Sequence, residues 1–161
     1  MSGVSLITEA APDFADALPD GGVLLGLDLG TKTIGTATCD AGWRFATNGK
    51  TLARGKWTRD KPVIGELIAT RAIAGIVLGL PRNMDGSEGP RVQASRAFAR
   101  NLSEAFGLPV LLWDERWSTQ SAEAALIGQD VSRTKRAKSI DSHAAAVILQ
   151  GAIDRLAGGV I

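Results

Sequence analysis

The sequence predicts an α/β domain built on a five-stranded mixed sheet, with strands 1–3 antiparallel and strands 4 and 5 parallel. Two patterns carry this prediction. Three strand-like runs come first, joined by tight turns, as in an antiparallel meander. Strand runs then alternate with stretches of helical periodicity, the mark of parallel strands flanked by helices. Length supplies the third argument: 161 residues hold one full core and not two.

Residues 1–20 mix Ala, Asp, Pro and Ser without sustained periodicity and read as a flexible acidic leader with room for one short helical turn, followed by one folded domain over 21–161. Val23–Leu29 is a glycine-bounded apolar run, the pattern of a buried central strand, with Asp28 near its end. Gly30–Thr33 turns into a second strand, Ile34–Cys39. Asp40–Gly42 turns again into a more polar outer strand, Trp43–Leu52. Asp60–Ala74 suits a helix, with Ile64, Leu67, Ile68, Arg71 and Ala72 at three- and four-residue intervals. Gly75–Leu80 is another buried strand and Pro81–Gly89 a loop. Pro90 fits the first turn of a helix that ends before Gly107 and Pro109, with Phe98, Leu102, Ala105 and Phe106 on one stripe. Val110–Trp113 is the fifth strand. Ser118 or Thr119 can cap a helix to about Ile127, Gly128–Lys138 reads as a basic loop, and Ser139 can cap an Ala-rich last helix through Leu156.

Composition narrows the function classes. Hydrophobic residues at 45% and charged residues at 22% exclude a wholly disordered chain or a fibrous repeat. The longest apolar run, Ile73–Leu80, is far short of a membrane span, so no membrane association is expected. The single cysteine, Cys39, can form neither an internal disulfide nor a thiolate cage, and a cytoplasmic setting is expected. Net charge is +1, but residues 1–20 hold four acids and no base, which leaves 18 bases against 13 acids, a net +5, over 21–161. Arg133, Lys135, Arg136 and Lys138 concentrate that charge in one segment suited to a phosphate backbone.

Acids stand where strands and a helix would bring them together. Asp28 ends a central strand, where an ionised carboxylate needs a cation or hydrogen-bond donors. Asp114 and Glu115 follow the fifth strand. If that strand runs parallel to the first, all three lie beyond the same sheet edge, where open α/β sheets bind ligands. Asp141 lies in the first turn of the last helix. Carboxylates gathered there would repel one another, and hard divalent cations, Mg²⁺ or Mn²⁺, relieve that repulsion. With a basic body, the pattern points to metal-dependent cleavage of nucleic acid.

Four blocks then carry a resemblance. Leu25-Gly26-Leu27-Asp28-Leu29-Gly30-Thr31-Lys32-Thr33-Ile34-Gly35 is followed by a block from Val77 to Pro90 containing Gly79-Leu80-Pro81-Arg82-Asn83-Met84-Asp85-Gly86-Ser87. Trp113-Asp114-Glu115-Arg116-Trp117-Ser118-Thr119 and a block from Ile140 to Gln150 opening Ile140-Asp141-Ser142-His143 complete the set. In this order, over about residues 22–157, they resemble the YqgF-type family of pre-16S ribosomal RNA nucleases and Holliday-junction-resolvase-like proteins. The resemblance implies a ribonuclease H-like fold with helices on both faces of the sheet. It implies catalytic, metal-binding acids at Asp28, Glu115 and Asp141, so that Glu115 is selected over Asp114. It also implies Mg²⁺ or Mn²⁺, cytoplasm, and trimming of the 5′ end of precursor 16S ribosomal RNA, with junction resolution as the alternative. Trp117 departs from the Leu or Thr usual in the family.

Around these acids, Lys32, Arg82, Asn83, Ser87, Arg91 and Arg116 are candidate phosphate or sugar contacts, together with the basic cluster Arg133, Lys135, Arg136 and Lys138. Arg116 can alternatively pair with Asp114. Asp114 and His143 are auxiliary candidates. Structured RNA or branched DNA is the expected partner. A symmetric junction would suit a homodimer, whereas RNA trimming needs only a monomer. Two other functions compete. Asp28-Leu29-Gly30-Thr31 also resembles the phosphate loop of sugar kinases, actin and Hsp70-type ATPases, but those pair two lobes and this chain has one copy. A non-catalytic RNA-binding module in ribosome assembly is the third reading, against which all three acids are present.

Overall fold

The structure is a computed structural model that describes residues 6–18, 22–116 and 133–158, the last segment as backbone alone over 133–143. Its centre is β2 (Val23–Leu29), an apolar strand paired antiparallel with β3 (Thr33–Cys39) on one side and parallel with β5 (Ile73–Leu80) on the other. β4 (Ala46–Ala53) continues the meander beyond β3, and β6 (Val110–Asp114) runs parallel beyond β5. β1 (Ile7–Thr8) pairs parallel with β6 at Ile7↔Val110 and Thr8↔Leu111, which gives one six-stranded sheet in the order β1-β6-β5-β2-β3-β4.

Strand alternation divides the sheet into two apolar faces. Leu25, Leu27 and Leu29 of β2, with Ile76, Leu78 and Leu80 of β5, pack against α2 (Trp57–Arg71) and α3 (Pro90–Phe106). Leu24, Val77 and Leu111 face the other way, onto Phe14 of α1 (Ala11–Ala17) and onto Ala145, Ile148, Leu149, Ala152 and Ile153 of α4 (Arg133–Gly158). The mixed sheet, its strand directions and the helices on both faces are as predicted.

The N-terminal segment corrects the sequence reading. A flexible leader was expected over residues 1–20, yet Ile7–Ala17 supplies the sixth strand and a helix, and Phe14 is 0% exposed. The phenyl ring lies over Gly75, where an added Cβ would stand 2.9 Å from its Cζ. One aromatic anchor on a short helix leaves no periodicity for sequence reasoning to find.

Three boundaries also move. α2 starts at Trp57 rather than Asp60, because Trp57 packs edge-on against Phe98 (5.5 Å, 85°) and Phe106. Asp60 is therefore inside the first turn, where its buried carboxylate accepts the Gly55 N–H. β4 starts at Ala46, after Trp43 takes a left-handed backbone (φ 57°) and donates its indole N–H to Gly22 O. α4 is helical from Arg133, six residues before the predicted cap at Ser139. Nothing between those positions breaks a helix, and Lys, Arg and Ala favour one. Arg133, Lys135, Arg136 and Lys138 thus lie on a helix backbone, not in a loop. The helix predicted from Ser118 or Thr119 to about Ile127 lies outside the described residues. Cys39 is buried, as a strand residue whose Sγ accepts the Leu24 N–H.

Removing the Phe14 ring tests whether the N-terminal segment belongs to the core. Phe14→Ala is expected to cost about 3–5 kcal/mol of unfolding free energy, read by urea titration. A change below about 1 kcal/mol would mean that the segment is a tail resting on the domain.

Candidate functional site

Three parallel strands, β2, β5 and β6, finish on one edge of the sheet, and α4 packs across β2, β3 and β4 and reaches β5. Its approach requires a glycine at position 26. A Cβ on Gly26 would meet Leu149 Cβ at 2.8 Å, and one on Gly35 would stand 3.6 Å from Ala145 Cβ and 3.5 Å from Asp28 Cβ. Asp28, paired with Gly35 in the β2–β3 ladder, therefore lies on the face that α4 covers. Asp141 is four residues before Ala145, about one helical turn. Its backbone lies on the same stripe of α4 as Ala145. The side chains of Asp141 and His143 lie outside the described residues, as does Trp117.

The same alternation places Asp114. Leu112 packs toward α3 and Trp113 toward α4, so Asp114, the last residue of β6, faces the α3 side. Glu115 turns to the α4 face. Its carboxyl group lies against Gly79 of β5, where an added Cβ would be 2.8 Å from Oε2 and 2.7 Å from Ile148 Cδ1. Gly79 is the functional position that sequence reasoning missed. The signal was available, since a glycine inside a buried strand marks a close approach.

Electrostatics separate the two acids further. Burial lifts the Glu115 carboxyl to about 7, helped by the negative charges of Asp28 and Asp114 and opposed by Arg91. Arg91, in the first turn of α3, is thus the predicted phosphate contact whose charge reaches the acid pair. Asp114 is held below the usual carboxylate range by Arg116, whose Nε and Nη2 reach its oxygens at 3.0 and 2.6 Å, and by Arg82 at 3.6 Å. Arg116 takes the alternative of pairing with Asp114.

The other candidates occupy the same rim. Lys32 is exposed in the β2–β3 turn. That turn is an ordinary hairpin in which the Gly30 N–H is taken by Thr33 O. Asn83 and Ser87 brace the 81–89 loop: Asn83 Nδ2 donates to Ser87 Oγ at 2.9 Å, and Ser87 Oγ to Asp85 Oδ1 at 2.6 Å. Arg82 joins Glu88 and Glu9 as well as Asp114. Among the described residues no group of three metal-ligating side chains gathers. Asp28 and Glu115 share the α4 face, near enough for the Asp28 charge to bear on the Glu115 carboxyl, and the described part of the site ends there.

A mixed sheet flanked by helices on both faces, with Asp28 and Asp114 at the ends of two parallel strands and Glu115 just past one, has the ribonuclease H-like architecture. Solved structures of Thermus thermophilus RuvC share this fold. One, in complex with a Holliday junction substrate, matches at TM-score 0.54 and 15% identity, covering 86% of this chain and 98% of that one. Another matches at TM-score 0.50 and 15% identity, covering 84% and 96%. The chain belongs to the family described as "RuvX: Holliday junction resolvase", whose model matches residues 22–155. Relatives carrying the name "Putative pre-16S rRNA nuclease" are 63% identical in Novosphingobium aromaticivorans (95% of this chain, 98% of that protein). In Sphingopyxis alaskensis the figures are 62% identity, 94% and 99%.

Because the folded protein holds the Glu115 proton up to about 7, while an unburied glutamate releases it near 4.5, its ionisation works against folding. The penalty is absent below the lower value and complete above the upper one. In metal-free buffer Glu115→Gln is expected to be more stable than the parent at pH 8 by about 1–3 kcal/mol, with the difference shrinking as pH falls toward 4. Denaturant midpoints across pH measure this, and a pH-independent difference would contradict the burial of the carboxyl group.

Proposed function

We propose that the protein is a metal-dependent endonuclease that hydrolyses phosphodiesters of structured RNA, in 5′-end maturation of precursor 16S ribosomal RNA. The observation that supports this reading most is Glu115 on the α4 face of the sheet edge, packed against Gly79 with the charge of Asp28 bearing on its carboxyl group. Membership of the resolvase family and the names of the relatives support a hydrolytic nuclease. Cleavage of branched DNA is the second reading, favoured by the fold shared with a RuvC that holds a junction. No helix among the described residues is long and apolar enough to cross a membrane.

The donor set suits Mg²⁺ or Mn²⁺. Carboxylates are hard oxygen donors, and Asp28 makes ionisation of Glu115 harder, a cost that a divalent cation would offset. Asp28 and Glu115 would hold it, with Asp141 as third ligand from α4. When bound, such an ion supplies a more acidic water and stabilises the leaving oxygen. The chain's own residues do the rest. Arg91 sets a positive charge beside the acids, and Lys32 stands on the β2–β3 turn at the same rim, so a phosphate group can be drawn in from both sides. Asn83 and Ser87 keep the 81–89 loop in one shape by bonding to each other. Ile148, packed over Gly79, shields Glu115 from water on its inner side. The basic start of α4 would follow the backbone of the substrate. Products carry 5′-phosphate and 3′-hydroxyl ends.

Asp28→Asn keeps the size of the side chain and removes its charge. It is expected to lower Mn²⁺-dependent cleavage of a precursor ribosomal RNA fragment by at least about 100-fold while RNA binding changes little, measured by gel assay and anisotropy. Retained cleavage would sink the assignment, and ATP hydrolysis in its place would favour the phosphotransferase reading.

A further inference from the structure

The turn after β1 places Glu9 between two arginines far away in the chain. Its Oε1 is 2.8 Å from Arg82 Nη2 and its Oε2 is 3.3 Å from Arg96 Nη2. Arg82 comes from the loop after β5, and Arg96 lies on α3, 87 residues from Glu9. Glu88 bridges the same two arginines at 3.0 and 2.7 Å, and it belongs to the loop that leads into α3. Two guanidinium groups are thus oriented by one resident carboxylate and share a second that arrives from the N-terminal segment.

That second carboxylate has a weak hold. Exposed ion pairs contribute little individually, and Glu9 is 42% exposed against 18% for Arg82. The strand that delivers it is two residues long and sits at the sheet edge. Behind it, α1 is fixed by the buried Phe14. Residues 6–10 can therefore leave while α1 stays, since short edge elements open most readily. Two forked donors suit either a carboxylate or a phosphodiester, because both present paired anionic oxygens. Arg82 also touches Asp114, next to Glu115, so the pair lies on the flank of the acid site.

We infer that Arg82 and Arg96 form a phosphodiester-binding subsite that the Glu9 carboxylate fills in the unbound protein. The inference rests on the nuclease reading of the sheet edge and extends it to Arg96 and Glu9. Substrate then binds by displacing Glu9, and the N-terminal segment lowers affinity at this flank.

The test is fluorescence anisotropy in EDTA, so that no cleavage occurs. It uses the full chain with two labelled probes, an RNA hairpin with a single-stranded 5′ extension and a four-way DNA junction. Glu9→Gln is expected to bind about 3- to 10-fold tighter and to steepen the salt dependence by roughly one phosphate contact. Arg96→Gln is expected to weaken binding, and Glu9→Gln placed in that background to lose its gain. Thermal melts of each variant verify folding. Unchanged or weaker binding by Glu9→Gln overturns the inference, as does a gain that survives without Arg96, or the absence of binding to both probes. A gain with one probe alone identifies which nucleic acid the subsite serves. Because the readout is binding without metal, failure of cleavage would remove the catalytic reading and leave this result standing.

Discussion

The carboxyl group of Glu115 lies against the backbone of β5 at Gly79, partly withdrawn from water and near the charge of Asp28. Much of the architecture around it can be traced to that placement. β5 must lack a side chain at this point, or the carboxyl group would be pushed away. α4 must come close enough for Ile148 to cover the same spot, and it does so because Gly26 clears its path over β2. A large side chain at either of these glycines would lift the helix from the sheet. Asp141 would move with it, as would the basic turn at the start of α4.

One sheet edge then serves two chemistries. Asp114 and Glu115 are neighbours in sequence and face opposite sides of the sheet. On the α3 side, Asp114 is neutralised by Arg116 and Arg82, within a network that includes Glu88, Arg96 and Glu9. On the α4 side, Glu115 meets another acid. Charge is thus balanced by protein groups on one face, while the other holds a carboxyl group whose ionisation is resisted. The balanced face suits orientation of a substrate, and the strained face suits a cation and the reacting phosphate.

Most of the fold was legible because it rests on strong local signals. The Val23–Leu29 and Ile73–Leu80 runs, the proline at position 90 and the glycine at 107 mark buried strands and helix ends through chemistry close in sequence. Phe14 was not legible, since its burial depends on a gap over Gly75 contributed by a distant strand. At the site, the acids could be placed from strand ends. That Glu115 rather than Asp114 lies on the Asp28 face needed the family resemblance, since Glu115 sits just past the end of β6 where strand alternation no longer decides. The Glu9–Arg96 pair left no trace in the sequence, because long-range ion pairs between common surface residues have no local pattern.

Calorimetric titration of Mn²⁺ into the metal-free protein at pH 8 tests the central claim most directly, since it does not depend on knowing the substrate. The wild-type chain should bind Mn²⁺ with an affinity that falls at least about tenfold in Asp28→Asn and in Glu115→Gln, while Asp114→Asn leaves it nearly unchanged. Equal Mn²⁺ binding by all four proteins, or a loss confined to Asp114→Asn, would contradict an acid site built by Asp28 and Glu115 on the α4 face.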